Sequence, residues 1–188
     1  MEKQESAAQA EEQEQEQWQG VVEAPLPSTR ASAAWPHVAS FCALHRYLPG
    51  IDVCELAAGE DGRPGCVRYV AALSAATGEV GSWAREELLE VDAAARRLAY
   101  AVVGSSMGFR RYVATMTVAA GDGDEAAGCR LVWAFECDPV QGWSRDGLLG
   151  YLDGAVRGMA ARIEEAAAAA DADADADADA GADDVAAD

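Results

Sequence analysis

The chain has 188 residues, 33 of them acidic and 14 basic, so its formal charge is −19 when both histidines are neutral. This length is typical of one domain. Residues 1–17 hold six glutamates against one lysine, and residues 166–188 hold eight aspartates and no basic residue. The part between them is still mildly acidic. We therefore expect no nucleic acid and no anionic membrane surface as a partner, because both require a basic face.

Composition divides the chain into three parts. We predict a disordered acidic tail over residues 1–17, one folded domain over 18–167 and a disordered Asp/Ala-rich tail over 168–188, since alternating Asp and Ala forms no apolar face. No apolar run follows a basic lead at the N-terminus, and no segment approaches ~18 apolar residues, so neither a signal peptide nor a membrane span is expected. The cysteines are odd in number and lack CxxC spacing, which favours reduced thiols in a cytoplasmic protein over a metal site or disulfides.

The domain is predicted to begin with a strand and two short helices. Residues 18–24 have the composition of a strand. Ser28 or Thr29 is a candidate cap for a helix over residues 31–38. Pro36 favours two short helices that meet there rather than one long helix, and a helical turn at SFCALHRY supplies the second.

Six strand-like segments follow, separated by Gly- and Asp-rich turns, and they predict a meandering antiparallel sheet. They are IDVCELA, GCVRYVAAL, SWAREELLEVD, LAYAVVG, RYVATMTVAAG and CRLVWAFECDPV. A long helix is then predicted from about residue 144 to 168, with Ser144 as its cap and an apolar stripe from Leu148 to Ile163. A curved sheet wrapped around one long helix is an α+β helix-grip architecture with an interior cavity.

The predicted long helix also carries a stripe of glycines: Gly147, Gly150, Gly154 and Gly158. Each glycine costs a helix roughly 1 kcal/mol relative to alanine. A line of small residues either permits another element to approach closely or leaves space for a ligand. We expect this face to line the cavity.

Several motifs occur in an order that resembles a known group of proteins. They include GCVRYV, SWAREELLEVD, GFRRYVATM, GCRLVWAFECDPVQGW and GMAARIEE. Over residues 18–166 they resemble plant START-like, birch-pollen-allergen-like helix-grip proteins, and most of all the lachrymatory-factor synthase-like group. The resemblance implies a monomer with no metal or other cofactor, whose cavity takes a small hydrophobic or weakly acidic metabolite.

The same resemblance implies that Arg68 and Glu86 are catalytic. Strand alternation supports this placement independently, because Arg68 shares a face with Cys66 and Val70, and Glu86 shares a face with Ala84. A guanidinium can hold a polarised or anionic oxygen while a carboxylate moves a proton within the ligand. A structural cross-strand salt bridge is the alternative interpretation of the pair.

The resemblance also implies four substrate-binding aromatic residues: Tyr100, Phe109, Tyr112 and Trp133. An ordinary hydrophobic core would use the same residue types. Val102 and Ala155 stand where the synthase has aromatic residues, which predicts a roomier and less polar pocket.

Two functions stay open at this point. One is an isomerase that converts an alkenyl sulfenic acid into a thial S-oxide by intramolecular proton transfer. The other is a non-catalytic carrier or sensor of a small hydrophobic plant metabolite. Abscisic-acid receptors share the fold, but that role is not expected, because the only lysine is Lys3 and the gate and latch positions read LSAATG and SSMGFR.

Overall fold

The computed structural model of the protein describes residues 17–121 and 128–182, with side chains up to residue 173. The elements in chain order are strand β1 (Trp18–Leu26), helix α1 (Ala31–Ala39), a 3₁₀ helix (Phe41–Arg46), strands β2 (Val53–Ala58), β3 (Val67–Leu73), β4 (Val80–Asp92), β5 (Arg97–Ser105), β6 (Val113–Ala120) and β7 (Cys129–Cys137), and helix α2 (Arg145–Ala182). All of the predicted strands and helices are present.

The strands form one seven-stranded sheet in the order β1-β7-β6-β5-β4-β3-β2. Every neighbouring pair is antiparallel. Alternation is regular in β7, where Leu131, Trp133 and Phe135 are buried and the residues between them are more exposed. One face of the sheet is therefore apolar, and with α2 it encloses the core, which confirms the predicted helix-grip fold.

Helix α2 buries the predicted apolar stripe. Each of its members is at most 3% exposed: Leu148, Leu152, Val156, Met159 and Ile163. The Gly147 N–H donates to Ser144 Oγ at 3.0 Å, which confirms the predicted cap. Within the described residues, neither this helix nor any other is both long and apolar enough to cross a membrane.

The end of α2 differs from the prediction. The helix continues to Ala182 instead of ending near residue 168. Alanine has the highest helix propensity of all residues, and the alternating segment places one at every second position. The predicted disorder at residues 1–16 and 183–188 lies outside the described residues.

Helix α1 begins at Ala31 as predicted, but its cap and its end differ from the prediction. Arg30 occupies the N-cap position and no side chain caps the helix. The backbone N–H of Ser28 instead donates to Glu164 Oε1 on α2 at 2.8 Å, which ties the helix start to the long helix. Pro36 lies inside α1, and the helix ends before Ser40, whose hydroxyl donates to the Pro36 carbonyl at 2.8 Å.

Strand β4 contains a bulge that ends the regular alternation of its inner face. Ala84, Glu86 and Leu88 are buried, as expected for one face. Strict alternation would place Glu90 beside them, but the register against β5 shifts between Leu88 and Glu90. Because a bulge inserts one extra residue, Glu90 is exposed. Among the buried residues of the described chain, Glu86 is therefore the one acidic residue of β4.

Candidate functional site

The sheet and α2 enclose a cavity of about 100 Å³. Its wall is mostly apolar and aromatic, with a small number of polar groups, which is the usual character of a small-molecule site. All six residues singled out from the sequence lie on this wall: Arg68, Glu86, Tyr100, Phe109, Tyr112 and Trp133. An apolar cavity of ~150 Å³ accommodates benzene, so the space enclosed here suits a very small molecule or one part of a longer ligand.

Arg68 and Glu86 form a buried ion pair on the cavity wall. They lie directly opposite each other on β3 and β4. Arg68 Nε and Nη2 are each 2.6 Å from Glu86 Oε2, and the two residues are 4% and 9% exposed. Both contacts use the same oxygen. Neither contact uses Glu86 Oε1.

Phe41 makes a hydrogen bond and an aromatic contact to the Arg68 guanidinium. Arg68 Nη1 donates to the Phe41 carbonyl oxygen at 2.6 Å, and the guanidinium carbon lies 3.8 Å from the centre of the Phe41 ring. The Tyr100 ring is also near, at 5.2 Å. Sequence reasoning missed Phe41, because a backbone carbonyl at the start of a 3₁₀ helix leaves no mark in a side-chain pattern. The aromatic faces stabilise the cation in a site without bulk water.

The charge of Arg68 follows from this environment. Burial acts to lower the pKa of Arg68, but the neighbouring Glu86 carboxylate outweighs burial and raises the pKa above its usual value. Arg68 is therefore a cation at every physiological pH, and its partner balances that charge. The pair as a unit adds no net charge to the cavity.

The opposite part of the wall is aromatic and uncharged. The Tyr112 ring stacks on Phe135 with centres 6.0 Å apart, and Phe109 meets it edge-on at 5.0 Å. Burial raises the pKa of Tyr100 and of Tyr112 well above the usual tyrosine value, so both hydroxyls stay protonated. These hydroxyls act as neutral donors and acceptors rather than as bases.

Trp133 leaves a buried donor without a regular partner. Its indole N–H faces the Tyr112 hydroxyl, yet no atom of the described residues accepts it in hydrogen-bonding geometry. The residue is only 6% exposed. Since an unsatisfied buried N–H is costly, this atom marks a place where a polar ligand atom would be stabilised.

The glycine stripe of α2 does not line the cavity, so that prediction is wrong. Gly154 is exposed, and an added Cβ there would meet no atom within 4 Å. At Gly158 an added Cβ would lie 2.5 Å from Pro49 Cγ, so this glycine permits close approach of a loop. The reason is angular: Gly154 follows Leu152 by two residues, and two steps of ~100° turn it away from the buried face.

Helix α2 instead lines the cavity with larger side chains that sequence reasoning did not assign to it: Tyr151, Leu152 and Met159. Two of these belong to the predicted apolar stripe, which was the available signal. Ala155 stands at a position where the synthase has an aromatic residue, and it is half-buried against the core. No group of three or more His, Cys, Asp and Glu side chains among the described residues could hold a metal ion.

The fold and this cavity define a helix-grip protein with an interior site for a small molecule. The family described as "Polyketide cyclase / dehydrase and lipid transport" matches residues 18–168, and the chain belongs to it.

Solved structures share this fold. XoxI from Bacillus cereus is 19% identical, over 80% of this chain and 94% of that one, with a TM-score of 0.61. An uncharacterised protein from Bacillus thuringiensis is 18% identical, over 79% and 98%, with a TM-score of 0.61. Ara h 8.0201 is 17% identical, over 82% and 99%, with a TM-score of 0.62. These likenesses establish the fold.

Proposed function

We propose that the protein is a cofactor-independent isomerase of lachrymatory-factor synthase type, which converts an alkenyl sulfenic acid into a thial S-oxide. The observation that carries this proposal is the buried Arg68–Glu86 pair on the cavity wall, in which both arginine contacts use the same carboxylate oxygen. A carboxylate in this arrangement can take a proton and return it. The proposal includes a monomer in the cytoplasm, and the free thiols of all five cysteines support the cytoplasmic location.

The charge balance of the site favours a neutral ligand. A bound anion would leave a net charge in a buried cavity, which is costly. A weak acid that enters in its protonated form adds none. Its O–H can donate to Glu86 Oε1, while its oxygen accepts from one of the Arg68 N–H groups that Glu86 and Phe41 leave free.

The proposed reaction moves one proton within the substrate. Glu86 takes the proton of the S–O–H group, and the electrons of the O–H bond stay on the oxygen, where they strengthen the existing S–O bond. The carbon–carbon double bond shifts to the carbon–sulfur bond, and Glu86 returns the proton to the alkenyl carbon farther from sulfur. One O–H bond is broken and one C–H bond is formed, so no oxidant, reductant or further reactant is needed.

The substitution Glu86→Gln tests this proposal. It keeps the shape and a hydrogen-bonding oxygen but removes the base, so we expect turnover to be abolished while binding changes by less than about tenfold. The sulfenic acid would be generated in place by a lyase, and the thial S-oxide measured by gas chromatography. Glu87→Gln is the matched control, because Glu87 is the next residue of β4 and does not line the cavity. Equal product from wild type and Glu86→Gln would refute the proton-transfer role.

A non-catalytic carrier or sensor of a small hydrophobic metabolite is the second candidate. The observation that favours it is that the protein itself occupies much of Arg68, through Glu86 and the Phe41 carbonyl. An arginine that bonds mainly to its own protein is typical of a structural pair. No product from the wild type, together with clear binding of another small metabolite, would establish this alternative.

A further inference from the structure

Tyr151 lies where the cavity meets solvent. It is on the same helix as the buried stripe, directly before Leu152, and both side chains line the cavity. Leu152 is 3% exposed, whereas Tyr151 is 53% exposed. A large side chain that is both on the cavity wall and in solvent marks the mouth of the cavity.

Two further observations describe the surroundings of Tyr151. Its ring meets the Trp143 ring edge-on, with centres 5.6 Å apart, and Trp143 is itself 39% exposed. Tyr151 and Glu86 line the same cavity. Burial and the charge of Glu86 both raise the pKa of Tyr151, so its hydroxyl stays protonated near neutral pH.

We infer that Tyr151 is a specificity-determining residue at the mouth of the cavity. Its ring, held by Trp143, narrows the opening, and its hydroxyl binds a second polar group of the ligand, distant from the end that lies at Glu86. Ala155, one turn further along α2, has no side chain beyond Cβ, so it leaves this role to Tyr151. The inference rests on the proposed function only for where the first polar end of the ligand lies.

The ligand class follows from this placement. The cavity selects a short apolar molecule with a neutral donor–acceptor group at its inner end and a hydroxyl or similar polar group at its outer end. The apolar part between them lies against the aromatic and aliphatic wall. A molecule with one polar end binds more weakly, since it offers no hydrogen-bond partner to the Tyr151 hydroxyl.

The test uses hexanamide and its ω-hydroxy analogue as probes, with affinity from calorimetry and exchange rates from ligand-observed NMR. We expect Tyr151→Phe to lower the affinity for the ω-hydroxy analogue about fivefold. The affinity for hexanamide should stay within about twofold of the wild-type value. Tyr151→Ala should speed association and dissociation of both probes, because it widens the mouth. Tyr69→Phe is the matched control, since Tyr69 stacks on Trp83 at 6.2 Å and does not line the cavity.

The inference is overturned if the wild type binds neither amide, or if both Tyr151 variants match the wild type in affinity and rates. It is supported if Tyr151→Phe discriminates between the two probes. If that discrimination appears while Glu86→Gln leaves sulfenic-acid turnover intact, the proposed reaction fails and the role of Tyr151 at the mouth stands.

Discussion

The cavity wall has a charged half on β3 and β4 and an aromatic half on β5, β7 and the loop between β5 and β6. In the charged half, Arg68 and Glu86 are opposite each other across two strands and are bonded at 2.6 Å. In the aromatic half, Tyr112 stacks on Phe135, and its hydroxyl stays neutral. In one half the buried polar groups are two ions, each stabilised by the charge of the other. In the other half they are neutral groups, held in place by the packing of their rings.

This difference separates the chemistry of the site from its selectivity. A proton can be moved only where a base is present, and among the described residues lining the cavity Glu86 is the one carboxylate. The neutral donors of the aromatic half can orient a ligand but are too weakly acidic to exchange protons near neutral pH. Reactivity should therefore respond to substitutions in the charged half, and ligand choice to substitutions in the aromatic half.

The largest expected effect comes from Arg68→Leu. The substitution leaves the Glu86 carboxylate buried without its partner, so we expect the free energy of unfolding to fall by about 3–5 kcal/mol. Urea denaturation at neutral pH measures it. A loss below about 1 kcal/mol would show that the pair is solvated, as exposed pairs are, and the two halves would then not differ as described.

The double substitution Arg68→Leu with Glu86→Leu is the control for that loss. Removing both charges leaves no unpaired ion, and buried pairs replaced by apolar residues are often as stable as the original. We expect the double variant to regain most of the stability that the single variant loses. If both variants are equally unstable, packing rather than charge explains the loss.

The charged half was predictable from the sequence because alternation along a strand is a strong constraint. The positions of Arg68 and Glu86 required only that two neighbouring strands present a buried face. Two features were not predictable. The bulge after Leu88 turns Glu90 outwards, and the Phe41 carbonyl reaches Arg68 from a helix far away in sequence. Both depend on backbone geometry rather than on residue type.

A smaller effect is expected in the aromatic half from Tyr112→Phe. The ring and its stacking on Phe135 remain, but Trp133 and Tyr100 lose the hydroxyl that they face. We expect a loss of about 1 kcal/mol in the free energy of unfolding at neutral pH, the usual net value of one hydrogen bond. A loss as large as that of Arg68→Leu would contradict the division of the wall.

The same variant has a defined pH dependence. Burial raises the pKa of Tyr112 in the folded protein, whereas an unfolded tyrosine titrates near its usual value of 10.0. The stability that Tyr112 contributes by staying protonated is fully present below that pH. It is lost as the pH rises towards the folded pKa, because the unfolded state releases its proton first. Tyr112→Phe should therefore lose less stability than the wild type above pH 10, in denaturation curves recorded with increasing pH.

The helix side of the wall was predicted less well, for a reason that is itself geometric. The apolar stripe and the glycine stripe of α2 have similar spacing, but Gly150 and Gly154 are each two residues from Leu152, which places them on a different face of the helix. The stripe through Leu152 was correctly predicted to be buried, whereas the line through Gly154 was wrongly assigned to the cavity. The helix end was misplaced because the Asp/Ala segment has strong helix formers without an apolar face, and two local rules disagree there.

The smallest expected effect comes from substitutions in the glycine stripe of α2. It tests whether the glycine face of the helix belongs to the cavity wall. Gly154 is exposed and an added Cβ meets nothing, so Gly154→Ala should raise the free energy of unfolding by about 0.5–1 kcal/mol through helix propensity alone. Binding of hexanamide should not change. At Gly158 the new Cβ would lie 2.5 Å from Pro49 Cγ, so Gly158→Ala should lose that gain to crowding. Thermal denaturation of the two variants, run with and without the probe, separates the effects. If Gly154→Ala altered the affinity for hexanamide, the glycine face would reach the cavity after all, and the wall would have a third, small-residue part.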